Sequence, residues 1–178
     1  MKPTSLPPFG DTKFEINVIV ETPKGSGNKF DYVLETGLYE LASPMPEGFT
    51  FPFEFGFIPS TLGDDGDPLD VLVLTGSPTF VGCHVKARLL GVIEAVQKEK
   101  DGIEERNDRL VAIPSKSRLH EDVASIKNLP SELLWEIENF FKSYNHIKGK
   151  EFTTLGCYGP RRAVQLVKEG QRKAHRKK

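Results

Sequence analysis

The hydrophobic period of this chain changes once, near residue 131, and that change bounds the folds open to it. From Phe14 to Thr22 the residues alternate: Phe14, Ile16, Val18 and Val20 share one face, and Glu15, Asn17, Ile19 and Glu21 the other. Alternation of this kind predicts a half-buried strand. Pro23 to Asn28 reads as a turn, with Gly25 and Gly27 in it. A second strand is expected over Lys29 to Glu35, ended by the Thr36-Gly37 turn. Ser43 to Ser60 holds four prolines and five phenylalanines and reads as a loop. Leu69 to Thr75, Val85 to Val96 and Arg109 to Pro114 read as further strands, with a charged hairpin loop over Gln97 to Asp108. After Pro130-Ser131 the period becomes helical: Leu133, Leu134, Ile137, Phe140, Phe141 and Tyr144 fall on one face. A second helix is predicted from Pro160 to about Lys173. Short strands followed by helices give a β-rich α+β fold: a closed β-barrel with two or more C-terminal helices packed outside. Residues 1–178 are expected to form a single domain, with 1–12 an irregular lead-in and 161–178 a basic helix and tail.

Composition narrows the function classes. No apolar run approaches the ~18 residues that span a bilayer, and Met1 to Phe9 has three prolines and no apolar signal-like stretch. The two cysteines, Cys83 and Cys157, do not make a disulfide scaffold, and free thiols in a cytoplasmic protein are expected. Net charge is −1, but Arg161 to Lys178 carries eight Lys or Arg against one Glu, so the rest of the chain is acidic. An acidic body suits cation binding. The tail reads as a solvated helix end rather than a nucleic-acid contact.

The sharpest local signal is Asp64-Asp65-Gly66-Asp67-Pro68-Leu69-Asp70, four carboxylates in seven residues, running into Val71-Leu72-Val73-Leu74. Like charges this close repel unless a cation neutralises them, and hard divalent cations prefer oxygen donors. Taken alone, a solvated Asp-Gly turn between strands has the same appearance. An EF-hand does not fit, because Gly76 stands where the bidentate Glu belongs. His84, His120, His146 and His175 show no zinc spacing, and neither a nucleophile elbow nor a P-loop is present. A weaker signal is distributed: Glu21 ends the first strand, and Lys29 and Asp31 begin the next. A hairpin between them would bring these charges together.

The run Asp65-Gly-Asp-Pro-Leu-Asp-Val-Leu-Val73 resembles the signature of family I soluble inorganic pyrophosphatases. Further matches keep its order: Val20-Glu21-Thr22-Pro23, Lys29-Phe30-Asp31-Tyr32, Phe51-Pro-Phe-Glu-Phe-Gly-Phe-Ile-Pro-Ser-Thr61, Gly91-Val-Ile93, Arg109-Leu-Val-Ala-Ile-Pro114, Phe140-Phe-Lys-Ser-Tyr144 and Lys148-Gly-Lys150. The resemblance implies an OB-like barrel that hydrolyses pyrophosphate with Mg²⁺, or Mn²⁺. It implies Asp65 and Asp70 as metal ligands, Asp67 as acceptor of the water's proton and Glu21 as an assistant at the metals. Lys29, Tyr144 and Arg109 would hold phosphate. A homo-oligomer is expected, with pyrophosphate as the partner and no membrane or nucleic acid.

The chain departs from the family pattern at several of these places. Leu41-Ala-Ser-Pro44 lacks the family's arginine. Phe51 and Phe55 replace tyrosines, Asp31 replaces a glutamate, Asn107 a carboxylate, Arg109 a lysine and Asn145 a lysine. Glu99, Asp101 and Asp108 are candidates to replace lost ligands. Two rival readings follow: a related hydrolase of another phosphoanhydride or phosphoester, and a non-catalytic barrel that binds metal, nucleotide or nucleic acid.

Overall fold

The protein is described as a computed structural model covering residues 3–176. The first strand, β1 (Glu15–Thr22), is buried on both faces rather than one. Ile16, Val18 and Val20 enter the core as expected. The polar face is covered because the lead-in lies across it: the Asn17 side-chain amide donates to the carbonyls of Pro7 at 2.8 Å and Phe9 at 3.3 Å. Asn17 Oδ1 also meets His84 Nε2 at 2.9 Å. A buried amide is tolerated when it is satisfied in this way.

The first two strands do not pair as a hairpin. Strand β2 (Asn28–Val33) pairs instead with β3 (Leu38–Pro44) in a separate two-stranded sheet. Side chains fasten it to β1. The Thr22 hydroxyl accepts from the Phe30 amide at 3.0 Å and donates to the Phe30 carbonyl at 3.2 Å, and Glu21 Oε1 accepts the Tyr32 amide at 2.9 Å.

The stretch read as a loop, Ser43 to Ser60, contains β4 (Glu54–Phe57), in which every residue is buried. It lies antiparallel between β1 and β5 (Asp70–Val73). Gly56 permits this crossing, since a Cβ there would sit 2.1 Å from the Ile19 carbonyl oxygen. The long strand β6 (His84–Lys98) turns back through β7 (Glu104–Arg106), making the expected hairpin over the charged stretch. Strand β8 (Arg109–Pro114) pairs antiparallel with β6 and parallel with β5. A strand not foreseen, β9 (Glu151–Tyr158), adds to the far half of β6. Strand β6 also pairs with β1, so the hydrogen-bonded path β1–β4–β5–β8–β6 returns to its start.

Helices α1 (Ser131–Ile147) and α2 (Pro160–Arg176) complete the fold. The strands between them have two apolar faces. Leu72 and Val111 pack with Ile137, Phe140 and Phe141 of α1 and with Phe51, Phe53 and Phe55. Val71, Val73, Leu110 and Ala112 pack with Ile16 and Val18 and with Ala163, Val164 and Val167 of α2. The basic tail is tied to the body rather than merely solvated: Arg162 Nε donates to Glu94 at 2.6 Å, and Lys173 pairs with Asp64. Lys177 and Lys178 lie outside the described residues. Both cysteines are free, and no described helix is long and apolar enough to cross a membrane.

Candidate active site

The ends of β1, β2, β6, β7 and β8 and the C-terminal turn of α1 surround one cleft of about 480 Å³. Its acidic floor comes from the loop that enters β5. Gly66 there has φ +90°, the left-handed turn that glycine makes without strain. The turn is closed by the Asp67 amide donating to Asp65 Oδ1 at 3.1 Å. Asp65 and Asp67 are exposed, while Asp70, on the first residue of β5, reaches the Arg109 guanidinium. All seven side chains expected to form the site line this cleft: Glu21, Lys29, Asp65, Asp67, Asp70, Arg109 and Tyr144. Strands distant in sequence supply them, so their convergence is a property of the fold.

The carboxyls bear the cost of that convergence. Burial pushes Glu21 up to about 8; the Tyr32 amide pulls the other way, and the nearby Asp70 charge adds to the rise. Burial also raises Asp70 above the usual carboxylate range, against the attraction of Arg109. Two poorly solvated acids held near one another this way, Glu21 buried and Asp70 half-buried, would be stabilised by a cation. Their chemistry, oxygen donors throughout, fits a hard divalent ion. Asp65 and Asp70, with Glu21 beside them, are the residues that would hold it. Among the described residues no three of these groups form a ready-made ligand cluster. Asp70 is engaged by Arg109 and Asp65 by the Asp67 amide.

Cations are interleaved with the acids. Lys29 pairs with Asp31 and lies 5.8 Å from the Phe55 ring centre. Arg109 is buried beneath the site, with its guanidinium 4.9 Å from the Phe141 ring centre and 5.7 Å from that of Phe55. Aromatic faces attract a guanidinium, which suits Phe55 to the place of a tyrosine. Phe51 is part of the same floor, edge-on to Tyr144 at 5.6 Å. Burial raises the Tyr144 phenol well above its ordinary range, and it stays protonated as a donor.

The structure also sorts the substitutes for lost carboxylates. Asp101 is exposed and caps the β6–β7 turn through the Ile103 amide, at 3.1 Å. Asp108 accepts the Ala95 amide at 3.0 Å and pairs with Arg106 at 2.9 Å. Of the three candidates, Glu99 lines the cleft, held by Gln97 Nε2 and by Lys150 at 2.8 Å. Asn107 donates to Gln97 Oε1 at 2.9 Å, so two amides close this side of the site. Sequence reasoning did not single out Gln97, Lys148 or Lys150 as site residues. Gln97 stands on β6 where it pairs with β9, and Lys148 and Lys150 follow the end of α1; the Lys148-Gly-Lys150 match to the family pattern gave neither lysine a role.

Carboxylates and ammonium or guanidinium groups meeting in one cleft define a site for a polyanion together with cations. A model of the family described as inorganic pyrophosphatase matches residues 18–175. The chain is 39% identical over 155 residues to an inorganic pyrophosphatase of Halalkalibacterium halodurans, covering 86% of this chain and 91% of that one. It is 36% identical to one from Synechocystis, covering 86% and 88% of the two chains. The crystal structure of the Thermus thermophilus inorganic pyrophosphatase superposes with a TM-score of 0.89 at 28% identity, covering 98% of this chain and 99% of that one. The chain belongs to the inorganic pyrophosphatase family.

Proposed function

We propose that this protein hydrolyses inorganic pyrophosphate to two phosphates, with Mg²⁺ as its cation and Mn²⁺ as a substitute. One observation carries the reading: Asp65, Asp67, Asp70 and Glu21 share a single cleft with Lys29, Arg109 and Tyr144. Bound divalent cations supply neutralisation of the phosphoryl oxygens and acidification of a water. Asp65 and Asp70 would hold them, with Glu21 in support. Lys29, Arg109 and the Tyr144 hydroxyl orient the phosphates. Asp67, exposed between the two ligands, takes the proton of the attacking water on a carboxylate oxygen as the bridging P–O bond breaks and the second phosphate leaves. Arg109, paired with Asp70 in this structure, would face the substrate phosphates once Asp70 held a cation. The closing pairing of β6 with β1 supports an OB-like barrel as the scaffold. Exposed Leu38, Trp135 and Leu155 support a homo-oligomer.

The test is phosphate release from pyrophosphate with Mg²⁺, set beside a panel of nucleotides and phosphate monoesters. Pyrophosphate is expected to be the best substrate by orders of magnitude. Faster turnover of another compound, with pyrophosphate at background, would overturn the assignment.

A further inference from the structure

Asn145, where the family resemblance implies an ammonium on phosphate, lines the cleft but offers it a buried amide already engaged by its own helix. It is 2% exposed, and its side-chain amide donates to the Phe141 carbonyl of its own helix at 2.9 Å. One turn further along, at the end of α1, Lys148 lines the cleft. Its ammonium reaches the Tyr144 hydroxyl and lies 4.4 Å from the centre of that ring.

The other four cationic side chains in the cleft are neutralised by carboxylates. Lys29 pairs with Asp31, Arg106 with Glu94 and Asp108, Arg109 with Asp70, and Lys150 with Glu99. Lys148 is held by a neutral phenol. A half-buried ammonium whose hydrogen bond goes to a neutral group keeps its charge available to an incoming anion. We infer that Lys148, presented by Tyr144, is a phosphate-binding residue of this enzyme and supplies the ammonium that position 145 lacks. The inference rests on the proposed pyrophosphatase reading and deepens it.

Two surroundings support the assignment. Burial lowers the Lys148 ammonium from its ordinary range, and so does the facing Lys29, while Asp31 opposes them. Two ammoniums that repel across a cleft gain from an anion placed between them. Tyr144, for its part, feels Asp31, Arg109 and Asp70, so Lys148 and Tyr144 together face the same space as the acidic floor.

The experiment compares wild type, Lys148→Gln, Lys148→Arg and Lys148→Gln/Asn145→Lys. It reads pyrophosphate kinetics with Mg²⁺ and, separately, affinity for inorganic phosphate by calorimetry. One lost charge-assisted contact corresponds to a rise in KM of about tenfold or more, with a smaller change in kcat. Lys148→Arg should recover most of that loss. Asn145→Lys should recover part of it, by restoring an ammonium one turn away. Phosphate affinity should fall and recover in parallel. A purely structural Lys148 would not be complemented from position 145. Unchanged KM and unchanged phosphate affinity in Lys148→Gln would overturn the inference. If wild type fails to hydrolyse pyrophosphate, the functional reading falls, and phosphate affinity still decides the role of Lys148.

Discussion

Asp67 and Asn107 test opposite halves of the cleft's chemistry. Asp67 lies between two proposed ligands without being needed as one, so Asp67→Asn should keep Mg²⁺ binding and lower kcat by about 10²–10⁴. Calorimetry and initial rates at saturating Mg²⁺ check both parts, and a kcat near wild type would remove the proton-accepting role. Asn107 donates to Gln97 Oε1, so Asn107→Asp sets a carboxylate against an acceptor oxygen. The metal-free protein should then lose about 1–3 kcal/mol. Divalent-cation affinity should rise, because an oxygen donor with charge joins the site; urea titration and calorimetry read the two effects, and a fall in affinity would count against cation binding on this side. The acidic floor of the cleft was legible in the sequence because Asp65, Asp67 and Asp70 are close together in it. Lys148 was not legible as a site residue, because what distinguishes it is the neutrality of its partner, a feature of packing rather than of spacing.

At the scale of elements, Glu94 on β6 joins three pieces. It accepts Arg106 of β7 at 2.8 Å and Arg162 of α2 at 2.6 Å. Burial works against its charge, yet the hydrogen bonds from the two arginines prevail, and its pKa is lowered from 4.5. A carboxyl depressed in the folded state contributes stability that is present above its unfolded pKa and lost as pH falls through the folded one. Glu94→Gln should therefore cost about 1–3 kcal/mol at pH 7, and the gap to wild type should close as pH falls from the ordinary glutamate range through the lowered folded pKa. Urea unfolding across that range measures it; a gap independent of pH would show that packing, not charge, is lost. Elements with a clean period or punctuation were readable: β8 and the start of α1 fall where expected. β4 was hidden because its short run is rich in phenylalanine and flanked by prolines, which read as a loop. β9 was hidden because Glu151-Phe-Thr-Thr-Leu-Gly-Cys-Tyr158 exposes residues on both faces and exists as a strand through its pairing with β6. β1 misled in the other direction, since its polar alternation is buried by the lead-in and by β2.

For the molecule as a whole, the cleft gathers more acidic than basic side chains. Seven carboxylates line it against five basic side chains, and three pairs join them: Lys29 with Asp31, Arg109 with Asp70 and Lys150 with Glu99. Folding brings Glu21 and Asp70 together at the expense of their solvation, which is why both resist ionisation. A ligand that binds only the folded state returns part of that cost by mass action, about 2.7 kcal/mol at a hundred times its Kd. For a chain of this size each kcal/mol moves Tm by about 2–4 °C. Saturating Mg²⁺ should therefore raise Tm by roughly 5–10 °C over a chelated sample. K⁺ at matched ionic strength should not reproduce the shift, since screening acts weakly on partly buried charge. In Asp70→Asn most of the Mg²⁺ effect should vanish, because the lost carboxylate is both a proposed ligand and a source of the repulsion that the cation relieves. Scanning fluorimetry of the two proteins with Mg²⁺, K⁺ and chelator decides the matter. Equal Mg²⁺ shifts in wild type and Asp70→Asn would place the stabilising ion elsewhere on the acidic body and separate it from this cleft.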